Sequence, residues 1–294
     1  MKIKESVSVR IFNVFNIGLM LLICFIMLYP LWYVLCASFS NGELLLGHSG
    51  ALFTPIDFSV AAYVGIFKNP MIMNGYLNTL IIVVGGVCIN MVITIMGAYT
   101  LSRKDLYWNK SIMKFVTITM FFNGGLIPSY LLISRTLGLN NSFLAVILPL
   151  AVNTYNLIVL RTSFSQIPES LIESASLEGA SHLRILAQVV VPLSKSVLAV
   201  ILLYYTVERW NSWFNASIYL KDRSMYPLQL ILREILIQND VGAMSDPTAA
   251  DQYALSETIK YATIVVATVP ILVVYPFLQK FFTEGALIGA VQEG

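Results

Sequence analysis

A series of long apolar runs carrying almost no charge constrains this chain more than any other feature. A helix needs roughly 20 apolar residues to cross the hydrocarbon core of a bilayer. Six segments come close enough to that length to predict spans at about 11–36, 77–101, 112–133, 143–160, 197–214 and 259–282. Backbone N–H and C=O groups in lipid have no water to bond, so such segments close their hydrogen bonds internally as helices. With 57% hydrophobic and 12% charged residues and a mean hydropathy of +0.76, the chain lies outside the range of soluble domains. The expected fold class is all-α: a polytopic membrane protein of six transmembrane helices forming a single membrane domain over 1–294.

Basic residues favour the cytoplasmic side of a membrane. With the N terminus inside, Lys2, Lys4, Arg10, Arg103, Lys104, Lys110, Lys114, Arg161, Arg184, Lys195 and Lys280 face or border the cytoplasm, whereas Lys68, Arg135, Lys221, Arg223, Arg233 and Lys260 fall outside. Both termini are therefore expected to be cytoplasmic. The segments at about 37–76 and 215–257 become external loops, the second with a short helix near 225–237, and the segment at about 162–195 becomes a cytoplasmic loop. The basic start followed by an apolar run imitates a signal peptide, but the run is long and lacks a small-x-small exit, so it reads as a retained first span.

Several functions are disfavoured. A net charge of +2 with no Lys/Arg-rich run does not suit nucleic-acid binding. Cys24, Cys36 and Cys88 lie in apolar stretches without C-x-x-C spacing, which indicates packing rather than a metal site or disulfide framework. His48 and His182 each stand alone. A membrane-embedded enzyme would need a nucleophile with a base, or clustered metal ligands, at membrane depth; the spans offer neither, so the chain is expected not to be an enzyme. An ion-coupled secondary transporter would need intramembrane carboxylates or unwound ion sites, and only Glu208, near a span edge, answers to that. Pro30, Pro128, Pro149, Pro270 and Pro276 mark kinks in or beside spans.

The loop between the fourth and fifth expected spans has the punctuation of two short helices. Pro168 suits a first helical position, Glu169 sits in the first turn where a carboxylate favours the dipole, and Gly179 suits a left-handed stop. Ser181 then caps the second helix. Leu171, Ile172 and Ala175 are expected on one face and Glu169 and Glu173, four apart, on another. Small residues at Ser174, Ala175 and Ser176 allow close backbone approach, and an acidic edge including Glu178 suits a partly basic groove in a partner protein.

Glu173-Ser174-Ala175, Gly179 six residues after that glutamate, and Val189-x-Val191-Pro192 resemble the EAA motif of binding-protein-dependent ABC importer permeases. The departures, Ser174 for alanine and valines for isoleucine and leucine, are conservative in size. The stretch Phe121-Phe122-Asn123-Gly124-Gly125-Leu126-Ile127-Pro128, Leu137-Gly138-Leu139, Trp210-Asn211-Ser212-Trp213-Phe214-Asn215 and Lys260-Tyr261-Ala262 resemble the carbohydrate-uptake branch, nearest to permeases for polysaccharide fragments in low-GC Gram-positive bacteria.

The resemblance implies a type I ABC importer permease fold in the bacterial cytoplasmic membrane. It further implies a second homologous permease as heterodimer partner, an ATPase dimer on the cytoplasmic side, and an extracellular or lipid-anchored solute-binding protein that delivers an oligosaccharide. The helix at 168–179 would be the coupling helix, including Pro168, Glu169, Leu171, Ile172, Glu173, Ser174, Ala175, Glu178 and Gly179, with Pro192 closing the motif. No Gly-x-x-x-x-Gly-Lys-Ser/Thr loop occurs, so ATP and Mg would belong to the partner ATPase and no cofactor to this chain. The tail at 283–294 resembles family tails that reach the ATPase; a frayed terminus is the other reading. A non-sugar cargo, such as an amino acid or phosphate, is the remaining alternative within the class.

Two polar and aromatic clusters suit a sugar pathway: Asn153, Tyr155 and Asn156 in the fourth span, and Tyr204, Tyr205, Glu208, Arg209, Trp210, Asn211 and Trp213 in the fifth. The competing reading has the asparagines joining helices and the rings forming an interfacial belt. Glu208 and Arg209, as sequence neighbours, do not face each other; each is either solvated at the outer end or paired to a sister permease.

Overall fold

The computed structural model describes residues 6–122, 124–242, 257–273 and 276. The described residues form helices and connecting segments, with no strand among them. They fall into two compact units, one drawn from 1–70 and 232–269 and the other from 71–231 and 270–294.

In the first unit, α1 (Val7–Ser38) starts at Ser6, whose hydroxyl accepts the Val9 N–H at 3.3 Å, a favoured helix start. Of its 32 residues only Cys36, Ala37 and Ser38 are buried. A helix apolar on every side and uncovered along its length is solvated by lipid. The chain then folds back through α2 (Gly42–Leu46), an irregular strap and α3 (Ala61–Lys68). Tyr29 Oη accepts the Leu52 N–H at 3.0 Å and Trp32 Nε1–H donates to the Phe53 carbonyl at 2.9 Å, tying the strap to α1. Cys36, Ala37, Leu45 and Leu52 form a small core against which Tyr33 and Tyr261 pack.

The second unit is organised around α4 (Pro70–Ser102), with proline at its first position, where the missing N–H costs nothing. Gly86, Asn90, Thr94, Ala98 and Ser102 are all buried along it. Small residues every fourth position make a ridge that lets neighbouring helices approach closely. There follow α5 (Asn109–Ile118), α6 (Leu126–Leu131) with a π turn at Leu132–Thr136, α7 (Phe143–Ile147) with a 3₁₀ turn at Leu148–Leu150, α8 (Thr154–Ser165) and α9 (Glu169–Leu177). Next come α10 (His182–Ile185), a π turn at Leu186–Val190, α11 (Val191–Leu193), α12 (Lys195–Asn211), α13 (Phe214–Tyr219) and the start of α14 (Leu228–Gly242), which from residue 232 belongs to the first unit. The final described helix, α15, covers 257–273 and belongs to the first unit as far as residue 269.

The structure corrects the expectation of continuous spans. Among the described residues only α1 and α4 are single helices long and apolar enough to cross a membrane. The pairs α7–α8 and α10/α11–α12 qualify only as bent pairs, at 52° and 89°. The expected span at 112–133 is not one helix either: α5 ends at Ile118, and Gly125, at φ +88°, precedes α6. The cause of the first bend is chemical. Pro149 has no N–H to donate, and the Ala151 N–H bonds the Leu148 carbonyl, three residues back rather than four. Pro192 acts similarly in the second, where the backbone widens to a π turn and breaks at Ser194. The sixth expected span is described only to 273 and at 276, and Lys2, Lys4, Asn123, Lys280, residues 243–256 and the tail at 283–294 lie outside the described residues.

Candidate functional site

The helix expected at 168–179 is α9, and local chemistry accounts for both its ends. Pro168 is its N-cap residue, and Glu169 lies in its first turn. At the other end Gly179 has φ +80°, its N–H bonds the Ser176 carbonyl at 3.0 Å, and the Ala180 N–H reaches the Ala175 carbonyl at 3.0 Å. This is the paired-bond stop that a left-handed glycine permits. Ser181 caps α10 by accepting the Arg184 N–H.

Ile172 is buried and Ala175 half-buried, whereas Leu171 is 45% exposed. At about 100° per residue, Ala175 lies between Leu171 and Ile172 around the helix, so the three share one face, with Leu171 at its uncovered edge. Glu173, Ser174, Glu178 and Pro192 are exposed, as are Leu177 at 89% and Leu183 at 67%. The Ser174 and Ser176 hydroxyls donate to the Ser170 and Ile172 carbonyls within the helix. One ion pair moors α9 to the end of α4: Lys104 Nζ stands 2.8 Å from Glu169 Oε2. The hydrogen bond from Lys104 and its positive charge hold the Glu169 carboxyl below its ordinary range, and the same contact raises the Lys104 ammonium. The outward surface of α9 therefore combines carboxylates with uncovered leucines.

A second constellation lies inside the bundle, where α12 meets the α7–α8 bend. Arg209 is 2% exposed, and its partners are oxygens of amides and carbonyls rather than a carboxylate. Its guanidinium donates to Asn90 Oδ1 at 2.9 and 3.1 Å and to the carbonyls of Val146, Ile147 and Leu150 at 3.3, 2.8 and 2.8 Å. Asn90 Nδ2 adds bonds to the Leu150 and Ala151 carbonyls. These are carbonyls the bend has released from their helical partners, which in lipid must be satisfied by protein groups. Neither expected placement of Arg209, solvated or paired to a sister subunit, describes it.

Tyr205 is likewise structural. Buried, it shares a 2.7 Å hydrogen bond with Thr94 and accepts the Asn153 N–H at 3.2 Å. Asn153 caps α8 by accepting the Asn156 N–H, and Asn156 is buried beside it. The asparagines thus join backbone segments. Tyr155 is exposed, Asn211 is exposed with its amide donating to the Val207 carbonyl, and Trp213 is half-buried against the cluster of Ile82, Val146, Ile147, Ala216, Leu220 and Leu230. Glu208, Tyr204 and Trp210 instead border an open cleft of about 760 Å³ shared with Tyr76 of α4. Of the fifth-span cluster, then, these three stand at a cavity while Arg209 and Tyr205 face the packed interior.

No family model matches the chain. Full-length relatives do. The polygalacturonan/rhamnogalacturonan transport system permease protein YtcP of Bacillus subtilis is 39% identical, over 96% of this chain and 99% of its own. Protein LplC of the same organism is 36% identical over 96% and 95%. Among solved structures, a bacterial ABC transporter involved in the import of the acidic polysaccharide alginate has a chain that superposes with a TM-score of 0.85 at 32% identity, covering 96% of this chain and all of that one. The chain belongs to the permease subunits of ABC importers. It is a transport component and not an enzyme.

In the permease, four residues that the sequence reading passed over finish the irregular backbone. Asn78 donates to the Ser224 and Tyr226 carbonyls, Thr79 accepts the Leu228 N–H at 2.8 Å and so caps α14, Asn90 serves the α7–α8 bend, and Thr94 holds Tyr205. The signal was present as small or polar residues recurring every fourth position from Gly86 to Ser102 in an otherwise apolar run. Gly86 belongs to the same device, since a Cβ there would come within 2.9 Å of Arg209 Nε.

Proposed function

We propose that the permease is one of a heterodimeric pair that moves an oligosaccharide or polysaccharide fragment inward across the bacterial cytoplasmic membrane, delivered by an extracellular solute-binding protein. Six spans with both termini in the cytoplasm carry the pathway, and ATP and Mg are bound by a separate ATPase dimer. The cargo class rests on the relatives, which serve polygalacturonan or rhamnogalacturonan and the acidic polysaccharide alginate. Tyr204, Glu208 and Trp210 are the pathway residues this reading favours, because they border an open cavity.

The observation that carries the coupling role is the outward surface of α9: exposed Glu173 and Glu178 beside uncovered Leu171 and Leu177, on a helix held rigid at both ends. An exposed amphipathic surface of this kind suits a partly basic groove. Closure of the ATPase pair would then displace α9 and, through the rigid bends, switch the permeases between inward-open and outward-open states.

The test is substitution at the stop and at the edge. Gly179 has open space around it, so Gly179→Val adds no clash and acts through the positive φ alone, which a β-branched residue adopts poorly. Gly179→Val and Glu173→Lys are expected to leave the permease inserted and assembled while cutting ATP-driven uptake about tenfold; Gly179→Asn, tolerant of that conformation, retains most of it. Wild-type uptake in both Gly179→Val and Glu173→Lys would refute the coupling role.

A further inference from the structure

One end of α4 grips the turn that leads into α14. Asn78 Nδ2 donates to the Ser224 and Tyr226 carbonyls at 2.7 and 3.1 Å, and Thr79 Oγ1 accepts the Leu228 N–H at 2.8 Å. At Gly75 the two helices touch so closely that a Cβ would come within 3.2 Å of Leu228 Cα and 2.6 Å of Ile231 Cδ1. Close packing of this kind leaves no slack between this end of α4 and the start of α14.

The other end holds the loop that carries α9. The Leu101 carbonyl accepts Arg161 Nε–H of α8 at 3.1 Å, Lys104 pairs with Glu169 of α9 at 2.8 Å, and Tyr99 Oη stands 3.4 Å from His182 Nδ1 of α10. Three successive helices are thus fastened to the last turn of α4 and the residues just past it. From Thr79 to Tyr99 the helix rises about 30 Å, the thickness of the hydrocarbon core, so the two sets of ties sit at its opposite faces.

Between those ends α4 is one unbroken helix, with its only proline at the first position. The covalent route from α9 to α12 turns through 89° between α11 and α12, which redirects a push along the axis, whereas α4 passes one from end to end. In lipid neither end lets go cheaply, because a released N–H or carbonyl finds no water. A displacement of α9 therefore moves α4 as a body, and α4 carries the turn at 223–228 with it. We infer that Asn78 and Thr79 are positioning residues for transport: through them the motion that the ATPase imposes on α9 is delivered, along α4, to the face where cargo arrives. The inference rests on the coupling role proposed for α9 and adds to it the route and the point of delivery.

The experiment uses the complete transporter in lipid nanodiscs, where both faces meet reagent. It follows maleimide labelling of Ser224→Cys, exposed on the gripped turn, with and without ATP, Mg and orthovanadate, a mixture that arrests an ATPase with its site closed; rates are counted above those of the transporter lacking that cysteine. In the Ser224→Cys parent, trapping is expected to change the labelling rate at least about fivefold. Thr79→Val, which removes the hydroxyl at similar volume, cuts that change to under about twofold while ATP is still hydrolysed, and Thr79→Ser restores it. Should Thr79→Val fail to assemble, Asn78→Ala is read in the same way. Labelling that rises equally in both states, leaving the ratio unmoved, marks a merely structural role and overturns the inference, as does a parent that does not respond to trapping or a loss that Thr79→Ser shares. Glu173→Lys separates the two readings. A ratio lost in Glu173→Lys but kept in Thr79→Val overturns this inference alone, and a ratio kept in both overturns the coupling role of α9 with it.

Discussion

At the scale of single residues, Arg209 shows what a charge inside a span is for in this permease. Its acceptors are the carbonyls freed by the α7–α8 bend and the amide of Asn90, so the cost of removing a guanidinium from water is offset by groups that would themselves be unsatisfied. Lysine retains the charge but lacks the planar fork that reaches Asn90, Ile147 and Leu150 together. Arg209→Lys and Asn90→Ala are each expected to destabilise the permease by about 3 kcal/mol, read as a lowered Tm of the purified transporter in detergent. Unchanged thermal unfolding in both variants would remove Arg209 from this role. The sequence could not reveal it, because a buried cation advertises its charge but not its partners, which lie between 59 and 119 residues away along the chain. Gly179, by contrast, was legible in place and conformation, since its two bonds reach back only to Ser176 and Ala175.

At the scale of elements, the same distinction separates what the sequence foretold from what it did not. The extent of α9, its proline start and its glycine stop are set by neighbours within a few residues, and the structure places them close to where the spacing indicated, with Pro168 one position earlier, as the N-cap rather than the first helical residue. The bends were not legible as bends. Pro149 and Pro192 signalled interruptions, but angles of 52° and 89° depend on which distant groups donate to the released carbonyls, and apolar runs look alike whether straight or broken. The mooring of α9 to the end of α4 was also invisible, being a contact across 65 residues. Its pH dependence follows from the direction of each shift. Glu169 is depressed by Lys104, so the pair's contribution is complete above the ordinary carboxylate range and is lost as pH falls through the depressed value; Lys104 is raised, so at the alkaline end the contribution is lost only above the ordinary lysine range. Amide exchange in α9 is therefore expected to be level, after correction for intrinsic rates, from pH 8 to pH 6 and to accelerate below about pH 4. Lys104→Gln should accelerate it at neutral pH and converge on the wild type at acid pH, where Glu169 is protonated. Equal protection in wild type and Lys104→Gln at neutral pH would show that the ion pair does not moor the helix.

At the scale of the molecule, the apolar surface of α1 belongs to surroundings the chain does not supply, which on the reading proposed here are lipid. The distribution of basic residues bears on which end of the permease faces the cytoplasm. Lys104 pairs with Glu169 of α9 and shares a cleft with Lys110, Lys114 and Arg161, and Arg184 lies in α10, the next helix along the chain, while Lys221 and Arg223 follow α13 at the other end of α12. The 17 residues of α12, at 1.5 Å each, separate these groups by about 25 Å, most of the hydrocarbon thickness. Since basic residues are retained on the cytoplasmic side, α9 should be inside and the 220–227 turn outside. Ser176 and Ser224 are both exposed and report on the two ends. In intact cells a membrane-impermeant maleimide is expected to label Ser224→Cys and spare Ser176→Cys, and the pattern should invert in inside-out vesicles, measured above the background of Cys24, Cys36 and Cys88. Labelling of Ser176→Cys from outside would put α9 beyond the reach of any cytoplasmic ATPase, leaving its acidic and leucine-bearing surface without the motor that the coupling role requires.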